Sequence, residues 1–222
     1  MNIENLIIEE NEDYVVVDKP ATVSTVYDKT NSKSIQQLLE DKYKMPVHPV
    51  TRLDKVVSGV CLFARHKEAA AGLTELLKLH QIDKTYIAIV EGKVDTAVGY
   101  SKELNHYIRK QGNKAKVTED QQSNGKKAKL TYKTVALLDN YSVLEVDLAT
   151  GRYHQIRGQL ALHGHCVKGD VKYGARRKNR DRSIHLHSWR LVLGDQTYTS
   201  AVPDGDKLWE VADQAVTSEQ QD

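Results

Sequence analysis

The segment KLTYKTVALLDNYSVLEVDLAT, residues 129–150, decides the fold class. It reads as two β-strands on either side of Asp139-Asn140, and so short a link joins antiparallel neighbours. Upstream, KTYIAIVEG (84–92) is a strand closed by Gly92, and GVCLFAR (59–65) is another. LIIEENEDYVVVDKP (6–20) adds two strands around an Asn-Glu-Asp turn, a hairpin that ends at Pro20. Downstream, SIHLHSWRLVL (183–193) and TYTSAVP (197–203) complete the strands. Helices are fewer. Ser34 is placed to cap a helix over SKSIQQLLEDKY, with Ile35, Leu38 and Leu39 at helical spacing. HKEAAAGLTELLKLHQ (66–81) sets Ala70, Leu73, Leu76 and Leu77 on one helical face. GRYHQIRGQLALHG (151–164) reads as a turn and a helix with Gly164 as its C-cap. The polar tract over residues 99–128 stays open between an exposed hairpin and a flexible arm. EVADQAVTSEQQD (210–222) is a short helical or frayed end. Strand-rich, with no repeat and no low-complexity linker, the chain is expected to be α+β. One domain over residues 1–210, built around a mixed, mostly antiparallel sheet, is followed by a tail over 211–222.

Composition narrows the function. The charged fraction of 28% and the apolar fraction of 40% are those of an ordinary globular protein. No apolar run reaches the length of a membrane span, and the acidic start MNIENLIIEENEDY lacks the basic region of a secretory signal. A soluble cytoplasmic protein is expected, with Cys61 and Cys166 as buried free thiols. The net charge of +2 is unevenly spread. Residues 101–133 carry nine Lys/Arg against three Asp/Glu, and residues 168–190 carry eight against two. The compensating acids lie near the ends, from Glu4 to Asp13 and from Asp204 to Asp222. Such a distribution can form a one-sided positive face that attracts polyanions, although a charge run alone is as often a solvated surface.

Several chemistries find no footing. There is no Gly-rich phosphate loop, no Cys-x-x-Cys and no serine in a nucleophile elbow. His163 with His165, and the HLH at 185–187, lack a third ligand at usable spacing, so no metal is expected. What remains is TRLDKVVSGVCLFAR, residues 51–65, where Arg52 and Asp54 flank one leucine ahead of a strand. An Asp beside an Arg is more often a structural ion pair than a catalyst. Here, however, the pair lies in a loop entering a buried strand, where sites cluster. Arg157 on the helix after Gly151 and Tyr86 inside KTYIAIV complete a small inventory. An aspartate, an arginine and a phenol without metal or cofactor suit covalent or acid–base catalysis on an organic substrate.

With these residues in view, the chain resembles the RluA-type pseudouridine synthases, which isomerise uridine in RNA to its C-glycoside. The likeness runs from YVVVDKPATVSTV through TRLDKVVSGVCLFAR, KTYIAIVEG and GRYHQIRGQLALHGHCVKGDVKYGA to IHLHSWRLVL. The ordered set RLD…SG, GRYHQIR and GD…YG carries its specificity. The resemblance implies a bare catalytic domain that needs no cofactor and acts as a monomer on structured rRNA or tRNA. It implies that Asp54 is the catalytic aspartate attacking a flipped uridine, at ribose C1′ or at pyrimidine C6. Tyr86 would pack on the target base and take part in removing the C5 proton, and Arg157 would pair with the aspartate. Arg52 would fill the vacated space or meet a phosphate, and Leu186 would line the uracil pocket. Three positions depart from the family's wording: Thr51 where a histidine is common, Val57 where a threonine is usual, and Thr22 where a glycine often follows the KP pair. A catalytically silent RNA-binding protein is the alternative, and a sugar- or nucleotide-binding module the remoter one.

Overall fold

The structure, a computed structural model, describes residues 1–28 and 32–219. They form two compact units, Met1–Lys84 with Ser188–Ala201, and Thr85–His187 with the chain from Val202 on. Eleven strands against four α-helices among the described residues bear out the α+β expectation.

The first unit opens with a 3-10 turn, Ile3–Leu6, and the hairpin of β1 (Ile7–Glu10) and β2 (Tyr14–Lys19). In β2 the run Val15-Val16-Val17 is fully buried, as a strand covered on both faces requires. Helix α1 (Ile35–Tyr43) starts at Ser34 with a capping box: Gln37 N–H donates to Ser34 Oγ, and Ser34 N–H donates to Gln37 Oε1. A two-residue strand, β3 (His48–Pro49), and β4 (Ser58–Ala64) follow, both paired antiparallel, with β4 also lying beside β2. Helix α2 (Lys67–Lys78) begins at His66, whose Nδ1 accepts the Ala69 N–H. Its expected face packs as read: Leu73 is buried, with Ala70, Leu76 and Leu77 against Val60, Leu62 and Leu191. A buried leucine such as Leu73 contributes about 1.5–3 kcal/mol, and the partly buried members less.

In the second unit, strand order is β5-β9-β8-β6-β7, antiparallel throughout. The strands are β5 (Ile82–Glu91), β6 (Ser101–Gln111), β7 (Lys114–Thr118), β8 (Lys126–Leu137) and β9 (Tyr141–Leu148). Strand β5 starts three residues inside the first unit. The polar tract over 99–128 is thus a hairpin, β6 with β7 turning at Gly112-Asn113, and not a loose arm. Leu104, His106 and Ile108 alternate inward along β6, which gives the hairpin a buried face. Helix α3 (Gln155–Leu162) packs on β6 and β7. Gly164, at φ +82, lies one residue past the cap residue His163, where left-handed backbone favours glycine. Strands β10 (Leu186–Leu193) and β11 (Gln196–Thr199) pair antiparallel; β10 begins in the second unit and continues into the first. Helix α4 (Lys207–Glu219) packs on β8 with Trp209, Ala212 and Val216 buried. The boundary expected at residue 210 therefore falls inside a helix, because those three residues recur at helical spacing. Residues 220–222, with Asp222, lie outside the described residues. Both cysteines are free, but only Cys61 is buried; Cys166 is partly exposed, in a turn where its thiol donates to Tyr173 O.

Candidate active site

Arg52 and Asp54 lie in the loop between β3 and β4, and the residues between and beside them explain their placement. Thr51 and Leu53 point inward, 7% and 8% exposed, whereas Arg52 is exposed and Asp54 half-buried. Thr51 N–H donates to Leu62 O at 3.1 Å, and Leu62 N–H donates to Thr51 Oγ1 at 2.8 Å. The threonine that departs from the family's histidine thus ties the loop to β4. Leu53 is clamped from the other side, its N–H donating to Thr25 Oγ1 and its carbonyl accepting the same hydroxyl at 2.8 Å. Val57, buried, closes a turn by donating its N–H to Asp54 O at 3.0 Å. The leucine between arginine and aspartate is therefore an anchor that fixes the backbone on which both charged neighbours stand.

Beneath this loop lies a residue that sequence reading passed over. Lys19, the last residue of β2, is fully buried. Its ammonium donates to Pro20 O at 2.9 Å, Val23 O at 2.8 Å and Lys55 O at 3.5 Å, stitching the KP turn to the Asp54 loop. Burial lowers its pKa to about 8, against the opposing pull of Cys61, Asp54 and Asp18. Lysine is seldom buried, so nothing in its residue type announces this role. The turn that it holds contains Thr22 at φ +70, a left-handed backbone that suits the glycine common there. Gly59, in the Ser-Gly pair, sits at φ +106 with its Cα against the Ser188 carbonyl; a Cβ would overlap that oxygen. Only glycine fits there.

The second unit carries the other expected residues. Tyr86 lies on β5 and is 7% exposed; Leu186, at the start of β10, is 3% exposed. Arg157 lies on α3 at 4% exposure. Its Nε donates to Asp170 Oδ2 at 2.6 Å and its Nη2 to Asp170 Oδ1 at 2.8 Å, a two-pronged buried pair. The guanidinium also lies over the Tyr173 ring, 5.1 Å from its centroid. Tyr173 Oη accepts the Ala115 N–H at 2.7 Å and is hydrogen-bonded to His154 Nδ1 at 2.9 Å. Asp170 and Tyr173 are the second and fifth residues of GDVKYG, a motif quoted for its spacing with no role attached to its acid or its phenol. Next to Leu186, His185 is buried, and its Nδ1 faces the Asn179 amide and the Lys168 ammonium. Both are donors, so the ring proton sits on Nε2 and goes to Asp206 Oδ2 at 3.0 Å. The ring stacks on Trp209 of α4, 5.0 Å between centroids. Burial, reinforced by the Lys168 charge, pulls its pKa down to about 4. Arg52 and Asp54 thus share one loop of the first unit, and Tyr86, Arg157 and Leu186 belong to the second. No group of three metal-ligating side chains occurs among the described residues, and no helix among them is long and apolar enough to cross a membrane.

Comparison with known proteins gives this arrangement its class. Residues 13–162 match the family described as RNA pseudouridylate synthase, and the chain belongs to that family. A tRNA pseudouridine synthase C of Vibrio cholerae serotype O1 is 30% identical over 202 residues, which cover 84% of this chain and 81% of that protein. The tRNA pseudouridine synthase C of Pectobacterium carotovorum subsp. carotovorum is 31% identical over 198 residues, but the match spans only 53% of its length. An RNA pseudouridine synthase of Bacillus subtilis is 32% identical over 89% of this chain and 68% of its own. Among solved structures, human RNA pseudouridylate synthase domain containing 4 shares the fold, with a TM-score of 0.74, 20% identity and coverage of 97% of this chain and 94% of that one.

Proposed function

We propose that this member of the family isomerises uridine to pseudouridine in structured tRNA or rRNA, with Asp54 as the nucleophile. The observation that supports this most directly is the Asp54 loop itself. A half-buried aspartate stands beside a buried leucine clamp, with an exposed arginine two residues before it. A uridine in folded RNA must leave its stack to meet such a group, which calls for a ring and an apolar wall to receive the base. Tyr86 and Leu186 supply them. Arg157, locked by Asp170, is the cation assigned to hold Asp54 ionised and oriented, since a carboxylate among phosphates would otherwise see its charged form disfavoured. Arg52 occupies the gap left by the flipped nucleotide or meets its phosphate. In the reaction Asp54 bonds to ribose C1′ or pyrimidine C6 and is later released, the N1–C1′ bond breaks, the uracil turns and C5 bonds to C1′; the C5 proton leaves to solvent and N1 takes up a proton in its place. Nothing is oxidised and no group is imported, so no cofactor is required. The basic segments at 101–133 and 168–190 grip the RNA backbone, and the protein acts as a cytoplasmic monomer.

The rival, a silent RNA-binding protein, drew on Thr51 and Val57. Both have structural work in the loop, as a hydrogen-bonded tie to Leu62 and a buried turn residue, which favours an intact site. The test is tritium release to water from bulk RNA labelled at uracil C5, comparing the protein with Asp54→Asn. Release from the wild type and none from the variant is expected. Equal release from both would remove Asp54 from the chemistry, and binding without release from either would establish the rival.

A further inference from the structure

Strand register in the second unit separates two faces of its sheet. Tyr86 pairs with Val146, Val146 with Tyr132, and Tyr132 with Lys102, so Tyr86 shares a face with Leu104, His106 and Ile108. That is the face that α3 covers. The opposite face of β7, β6 and β8 is built differently. Arg109 stands directly across from Lys116, Tyr107 lies between Thr118 and Lys127, and Asn105 faces Lys129. Like charges directly opposite destabilise a strand pair, so Arg109 and Lys116 are a local cost to the hairpin. Only Lys129 is answered, by Glu103 at 2.7 Å. Among the described residues no carboxylate pairs with Arg109, Lys116 or Lys127, all three exposed. On the same face, between Thr118 and Lys127, stands the partly exposed Tyr107.

We propose that this face of the β6–β7–β8 hairpin, turned away from Tyr86, is a second RNA-contact surface. On it Arg109, Lys116 and Lys127 meet backbone phosphates, and Tyr107 stacks an unpaired base. Three cations on one face without paired acids match a phosphodiester chain, and their spread over three strands exceeds what one small anion needs. An aromatic ring among them is what a base without sequence preference would use. The edge strand β7 is short, and its lysines oppose pairing with another sheet, which disfavours a second protein strand as the occupant. The proposal rests on the reading that the chain acts on RNA.

The experiment is equilibrium binding of a bulk tRNA and rRNA mixture across a salt series, using the wild type, Arg109→Glu/Lys116→Glu/Lys127→Glu, and an equal charge change at the exposed Lys67, Lys93 and Lys207. Each phosphate contact contributes about 0.7–0.9 to the slope of log affinity against log salt. The hairpin variant should lower that slope by about two units and weaken binding more than tenfold at low salt, while the control changes it far less. Tyr107→Ala should weaken binding severalfold with the slope unchanged, and Tyr107→Phe should restore it. Equal losses in hairpin variant and control would reduce the effect to net charge and overturn the proposal. So would an unaltered slope in the hairpin variant. Failure of the wild type to bind RNA with any salt dependence would instead refute the RNA reading, and tritium release distinguishes the two cases.

Discussion

Lys19 in the first unit and Arg157 in the second are both cations taken out of water, the lysine fully and the arginine to 4% exposure, yet different groups hold them. Lys19 is ringed by backbone carbonyls, neutral acceptors that orient an ammonium without cancelling its charge. Its pKa falls accordingly, to about 8. Arg157 is met by a carboxylate on two of its nitrogens and by an aromatic ring over its plane. The lysine stitches a turn; the arginine is a charge fixed in one orientation by Asp170. Carbonyls suffice where only shape is required, and a carboxylate is needed where the guanidinium must keep one orientation.

Removing Asp170 should have the largest effect. Asp170→Asn leaves Arg157 buried without its counter-charge and should cost about 3–5 kcal/mol in urea unfolding, with a matching collapse of tritium release. The double variant Arg157→Met/Asp170→Leu removes both charges and should unfold closer to the wild type while remaining inactive. If Asp170→Asn were as stable as the wild type, the pair would not be what holds the arginine.

Lys19 gives the next effect, and pH reveals it. Its folded pKa of about 8 lies below the ordinary 10.5, so between these values the unfolded chain binds more protons and stability rises with pH. Below about pH 8 the ammonium is charged in both states and its full burial cost is present. The wild type's stability relative to Lys19→Met should therefore rise by about 3 kcal/mol from pH 8 to pH 10.5. A difference that stays flat over that window would mean that the carbonyls compensate the charge in full.

His185 is a third solution: a buried base that gives up its proton. With a folded pKa of about 4 against 6.5, it is neutral when the unfolded chain is already protonated. Stability should fall as pH drops from about 6.5 to about 4, by no more than the Lys19 effect, since the Asp206 carboxylate favours the charged ring. His185→Gln should flatten that limb in urea unfolding. An unchanged acid limb would mean that other groups cause it.

The difference between the two cations also explains what the sequence could reveal. Periodicity and caps exposed α1, α2, β8 and β9, because Ser34, Leu73 and the Asp139-Asn140 turn act within one element. Asp54, Tyr86 and Arg157 stand out as candidates through ordered motifs. The buried groups that hold Arg157 and the Asp54 loop do not. Asp170 is thirteen positions from Arg157 in a Gly-rich basic loop without periodicity, and Lys19 ends a strand in a residue type that normally faces water. Long-range pairings of charge with charge, or of ammonium with carbonyl, leave no local pattern. The hairpin β6–β7 lay between, since Leu104, His106 and Ile108 alternate as in a half-buried strand while the surrounding lysines read as a loop.

The smallest expected effect returns to the turn that Lys19 stitches. Thr22 holds φ +70, where a β-branched residue crowds its own carbonyl at a cost of about 1–2 kcal/mol. Its side chain is exposed, so little packing is lost on its removal. Thr22→Gly relieves that strain but loosens the unfolded chain, which returns about 0.5–1 kcal/mol to the other side. The net expectation is a stabilisation of at most about 1 kcal/mol, or some 2–4 °C in thermal midpoint for a chain of this length. Thr22→Val keeps the branch and should gain nothing. If glycine instead destabilised, the threonine would have to be fixing the Asp54 loop by more than it strains the turn. The contrast would then sharpen: the first unit would hold its loop by a strained backbone as well as by a buried ammonium, and the second by a paired charge alone.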